Sequence, residues 1–137
     1  MSRIINSDTP SQQRAKLLKL VANAVLFAEE NYQKSNELND LLAFIVLTLM
    51  EIEKTIIKTT APWEKRDYWV KADKFRREWG WVHETINSLL SSRNSSGWEF
   101  LPFAVESLKE KIKNIEIPRY LKEKKYWNGA YAVLMDK

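Results

Sequence analysis

The chain has 137 residues, a net charge of +4, a hydrophobic share of 45% and no cysteine. That length suits one domain, 1–137, with a real core, and the missing cysteine excludes a disulfide framework, thiolate-bound zinc, an iron–sulfur cluster and a cysteine nucleophile. Only three glycines and four prolines are present, too few for the many turns of an all-β domain, so the composition predicts an all-α fold of few, long helices.

The first residues, 1–8, lack the apolar centre of a signal peptide and are expected to form a flexible N-terminus. Thr9 is then placed as an N-cap, with Pro10 at the first helical position and Gln12 as its capping-box partner. Leu17, Leu18, Val21, Val25 and Ala28 follow helical spacing to about Tyr32.

Ser35 or Asn36 is expected to cap a second helix. Its main face is Leu38, Leu41, Leu42, Ile45, Leu49, Ile52 and Ile56, with Phe44, Val46 and Leu47 adding apolar surface elsewhere. A helix apolar nearly all round belongs at the centre of a bundle. Its most apolar run, Leu41 to Met50, is far shorter than the roughly 20 residues of a membrane span, so the expectation is a soluble, cytoplasmic chain with no membrane partner.

Thr59-Thr60-Ala61-Pro62 is the strongest punctuation in the sequence and predicts a new helix from about Pro62 to Leu90. Projected at 100° per residue, that helix sorts into three stripes. Tyr68, Ala72, Phe75, Trp79, Val82, Ile86 and Leu90 form the expected core face. Trp63, Arg66, Val70, Lys74, Arg77 and Trp81 lie opposite, as a candidate partner-binding surface. The competing reading has Trp98, Tyr120, Tyr126 and Trp127 fold over that stripe, with Arg66 and Arg77 stacked on indoles.

The third stripe, Trp69, Asp73, Arg76, Gly80 and His83, is a candidate pocket for a small anion, with Arg76 holding the ligand and Asp73 and His83 orienting it. The structural alternative is a boundary ion pair between Asp73 and Arg76 or Arg77, with a neighbouring helix packed over Gly80.

Ser91-Ser92-Arg93-Asn94-Ser95-Ser96-Gly97 has the composition of a flexible loop. A further helix is expected from about Pro102, with Val105, Leu108 and Ile112 on its inner face, and Ile117-Pro118 ends it. A last short helix, Asn128 to Met135, is expected to dock Tyr131 and Leu134. The sum is a bundle of four main helices with a partly irregular C-terminal segment.

Other chemistry is sparse. His83 is the single histidine, which excludes a zinc site of several histidines, and no Walker, dinucleotide or nucleophile-elbow pattern occurs. Glu37 and Asp40 have the spacing of half a magnesium-binding motif, but Glu30 is followed three residues later by Gln33, so no second half precedes them. No catalytic residue, metal or cofactor is assigned. The positive excess lies mainly in residues 105–137, around Lys122, Lys124 and Lys125. It is too small and local to favour nucleic acid over a solvated loop. The functional expectation is an interaction or regulatory domain, binding itself as a homodimer or another protein through Trp63, Arg66, Val70, Arg77 and Trp81. The alternative is the small-anion pocket at Trp69, Asp73, Arg76 and His83.

Overall fold

The first helix starts where its capping chemistry places it. The Thr9 amide donates to the Gln12 side chain at 2.9 Å, and the Gln12 amide donates to the Thr9 hydroxyl at 3.1 Å. This reciprocal pair satisfies two of the amides that a helix start leaves unpaired. The computed structural model describes residues 8–31, 35–123 and 125–137. Most of the expected flexible start, the end of the first helix at Tyr32 and the side chains of Ser35 and Asn36 fall outside what is described.

Helix α1 (Pro10–Asn31) packs along α2 (Ser35–Lys65), and α2 also contacts α3 (Trp69–Glu78), α4 (Gly80–Ser91) and α7 (Ala130–Met135). Helix α5 (Ala104–Ile112) bridges α1 and α4, and the single turn α6 (Arg119–Lys122) rests on α1. The described residues contain no strand. The fold is all-α with α2 at its centre, as its nearly continuous apolar surface requires: Leu38, Leu41, Leu42, Ile45, Val46, Leu49 and Ile52 are fully buried. No described helix is long and apolar enough to cross a membrane.

The boundary expected at Pro62 is displaced. Helix α2 runs through Pro62 to Lys65, although Pro62 cannot return a hydrogen bond to the Lys58 carbonyl. Ile56 and Thr60 are both buried, so the inward stripe of α2 continues to this end, and tertiary packing outweighs the local cost. The hydroxyls of Thr59 and Thr60 donate back to the carbonyls of Thr55 and Ile56.

The helix stops instead at Asp67, which has a left-handed φ of 62°. The Asp67 amide donates to the Glu64 carbonyl at 3.0 Å and the Tyr68 amide to the Trp63 carbonyl at 2.8 Å. Those two bonds with a left-handed residue between them make a Schellman ending, here with aspartate in the position glycine usually fills. The chain turns back and α3 lies against α2.

A second break separates α3 from α4. Trp79 has φ −105° and ψ 8°, outside the helical well, and Gly80 follows it. The single helix expected over 62–90 is therefore the end of α2 plus two short helices. A Cβ on Gly80 would meet nothing within 4 Å, so no helix packs over it. Its place is beside the kink, a common site for glycine.

The serine-rich segment after α4 is a tight, pinned turn. Asn94 and Gly97 exchange backbone hydrogen bonds, and the Asn94 side chain accepts from the Ser96 amide and hydroxyl. Asn39 of α2 clamps the turn from outside: its amide donates to the Ser96 carbonyl and its oxygen accepts from the Trp98 amide at 2.7 Å. Trp98 is buried, with its indole N–H donating to the Leu89 carbonyl. The neighbouring Asp40 holds the last helix. Its two carboxylate oxygens accept from the Gly129 and Tyr131 amides at 3.2 and 3.0 Å. Leu134 of α7 is buried and Tyr131 packs edge-on against Trp98.

Candidate functional site

The two breaks fold residues 63–81 into an arm on the end of α2, and they regroup the stripes of a straight helix. Trp63 stands edge-on to Phe75, with ring centroids 5.4 Å apart. Phe75 packs on Trp79 at 6.2 Å, and Trp79 on Trp81 at 5.8 Å. Members of two supposedly opposite faces thus form one series of rings. Tyr68, expected in the core, is 53% exposed, because the Schellman turn swings it out before α3 begins.

The cations on these rings also differ from expectation. Arg14 of α1 lies 5.0 Å from the centroids of both Phe75 and Trp79, and Lys71 lies 4.4 Å from that of Trp63. Arg66 and Arg77 are exposed and stack on no indole among the described residues. Arg14 is only 6% exposed, and its guanidinium donates to the hydroxyls of Thr55 and Thr59, at 3.2 Å each. No carboxylate pairs with it among the described residues. Burial lowers its pKa from the usual arginine value. Neutral acceptors and ring faces compensate the charge that desolvation opposes.

The aromatic residues expected to cover the arm are employed elsewhere. Trp127 is fully buried against Phe27 and Phe44 at the other side of α2, while Tyr120 and Tyr126 are exposed. Helices α5, α6 and α7 make no packing contact with α3. The turn at Pro102 and Phe103 and the facing side of α5 border a groove with Trp81 on α4.

The third stripe resolves into two separate ionic contacts. Arg76 donates to Asp73 at 2.7 Å and to Glu64 at 3.1 Å. Its pKa is raised, chiefly by the hydrogen bond to Asp73; desolvation opposes this, and the charge and hydrogen bond of Glu64 add to the rise. His83 lies across the kink on α4, with Nδ1 2.8 Å from a carboxylate oxygen of Glu53 on α2. No hydrogen bond or ion pair joins His83 to Asp73 or Arg76 among the described residues. Trp69 is 51% exposed beside the first of these contacts.

Elsewhere, charge is used to hold helices together. Glu37 and Asp40 serve Lys125 and the α7 amides, and no group of three histidine, cysteine, aspartate or glutamate residues among those described is arranged to hold a metal ion. Of the basic tail, Lys125 reaches Glu37, Lys122 is exposed, and Lys124 lies outside the described residues.

What remains open on the arm is its outer side. Tyr68, Trp69 and Val70 are consecutive and exposed, Val70 by 82%. Val70, Lys74 and Arg77 share the outward face of α3, and Arg66, Lys74 and Arg77 make no ion pair among the described residues. Sequence reasoning had Val70, Arg66 and Arg77 on this surface but assigned Tyr68 to the core. The signal for Tyr68 was the unmarked turn at Asp67. Comparison with protein-family models, with curated proteins and with solved structures finds no match.

Proposed function

We propose that this chain is a non-enzymatic protein-interaction module, and that the outer side of α3 docks on an acidic protein surface carrying an apolar pocket. One observation carries the reading: three consecutive large side chains, Tyr68, Trp69 and Val70, are each more than half exposed. They stand at the start of α3, whose inner side is fixed by ring stacking. Tryptophan, tyrosine and arginine dominate interface hot spots because they bring large area and directional polar groups together. A rigid platform lowers the ordering cost of binding. The free cations Arg66, Lys74 and Arg77 supply the charge preference.

Within this reading Trp63 and Trp81 are supports rather than contacts. Binding to a second copy of the chain is the other form of the same proposal. The small-anion pocket has less support, because Arg76 is already held by two carboxylates.

The test is a photo-reactive amino acid placed at position 70, with a control at the exposed Asn114 on another part of the molecule. Irradiation in the native cells should give a discrete adduct from position 70 and none from 114. Arg77→Glu should remove that adduct. Identical labelling from both positions, or none, defeats the proposal, and an adduct of twice the chain mass identifies the homodimer.

A further inference from the structure

A groove of about 430 Å³ lies between α4 and the turn that leads into α5. That volume falls within the roughly 300–1,000 Å³ typical of small-molecule sites. Two aromatic rings border it. Trp81 is braced from behind by Trp79, whereas Phe103 is 83% exposed and stacks on no ring among the described residues. A bare phenyl ring beside a supported indole is half of a sandwich for a flat ring.

Thr85 and Ser92 on its wall donate to the Trp81 and Leu89 carbonyls, but four other polar groups around this space are uncommitted. The hydroxyls of Ser88 on α4 and Ser107 on α5 line it and have no hydrogen-bond partner among the described residues. Glu84 from α4 and Lys111 from α5 line it as well, and neither forms an ion pair there. Elsewhere such charges are paired across helices, as Lys109 with Glu29 across α1 and α5 and Arg76 with Glu64 across α2 and α3. The groove holds one negative and one positive charge on different helices, and its net charge is zero. A ligand with a single charge would leave one of them unmatched as it displaced water.

We infer that this groove binds a small aromatic zwitterion, its ring between Trp81 and Phe103, its ammonium toward Glu84 and its carboxylate toward Lys111. The groove shares no lining residue with the outer side of α3 and does not depend on that surface having a partner.

The probe is L-phenylalanine, which leaves the indole signals free for observation. Phenethylamine lacks its carboxylate and 3-phenylpropionate lacks its ammonium. The readout is the indole N–H resonance of Trp81, assigned by its loss in Trp81→Phe. L-Phenylalanine should shift that resonance saturably, and each analogue should bind about fivefold more weakly, the scale of one partly exposed charge pair. Lys111→Ala should abolish the advantage over phenethylamine, and Glu84→Gln the advantage over 3-phenylpropionate. Unchanged signals from the other tryptophans show that each variant is folded. No saturable shift, equal binding of all three probes, or a shift confined to other indoles overturns the inference.

Discussion

The guanidinium carbon of Arg14 sits 5.0 Å from the centroid of Trp79, and that contact ties the first helix to the kink between α3 and α4. Arg14 is buried with no carboxylate paired to it among the described residues, so its charge is costly and its packing is what the fold gains. Thr55 and Thr59 donate their own hydroxyl protons to the Ile52 and Thr55 carbonyls. Neither is stranded when the arginine is removed. Arg14→Met should therefore leave stability within about 1 kcal/mol of the parent, because it keeps the stem volume and removes the buried charge. Arg14→Lys should cost about 1–2 kcal/mol, since it keeps a charge and loses the planar fork and ring stacking. Chemical denaturation of the three proteins gives the order, and a lysine variant as stable as the methionine one contradicts it.

Asp67 closes α2 in a left-handed conformation that glycine adopts freely. Asp67→Gly removes a backbone penalty of about 1 kcal/mol and adds a chain-entropy loss of similar size, so its stability should stay within about 0.5 kcal/mol of the parent. Asp67→Val should lose about 1–2 kcal/mol, because a branched side chain tolerates the left-handed region poorly. Thermal unfolding of both variants checks the difference.

That residue also explains what could be read in advance. The first two helices were legible because their signals are strong: a reciprocal cap at Thr9 and Gln12, and an apolar face on α2 too wide for anything but the centre. Residues 62–90 were misread because a proline marks no boundary there and the true ending has aspartate where glycine is the recognisable sign. A projection that assumes one straight helix then misplaces Tyr68 before the first residue of α3. It also separates Trp63 from Phe75 and Trp79, which share one stack. The turn at 91–97 looked loose in composition, and its clamp, Asn39, lies far away in sequence where local patterns carry no trace of it. Arg14 escaped notice for the same reason, since only the folded chain brings it to Thr55 and Trp79.

Two glycines should respond to alanine in opposite directions. Gly80 has open space where a Cβ would go and lies within the first turn of α4. Gly80→Ala should raise stability by about 0.5–1 kcal/mol. Gly97 has φ 106°, and an added Cβ would collide with the Asn39 carboxamide. Gly97→Ala should lose about 2 kcal/mol or more, through backbone strain and the displaced Asn39 bonds to Ser96 and Trp98. Melting curves of the pair decide it, and a destabilised Gly80→Ala would mean the kink itself needs glycine.

Asp40 carries the docking of the C-terminal helix on two backbone amides. Asp40→Ala should cost about 1–2 kcal/mol, the usual range for losing a capping side chain. The loss should be local. Hydrogen exchange should quicken across residues 129–135 while the α1–α2 pair keeps its protection. Uniform loss of protection would mean that α7 is part of the cooperative core.

The supports and contacts of the arm separate by stability. Trp63 is half-buried, stacked on Phe75 and covered by Lys71. Trp63→Ala should lose about 2–4 kcal/mol, toward the range for buried aromatic truncation. Val70 is 82% exposed, and Val70→Asp should change stability by less than about 0.5 kcal/mol. The same Val70→Asp change puts a negative charge amid Arg66, Lys74 and Arg77, where an acidic partner would meet it. Binding should therefore fail in Val70→Asp while its melting temperature holds. If Trp63→Ala melts like the parent, the ring stack carries no load, and the arm has no rigid platform on which to present Tyr68, Trp69 and Val70.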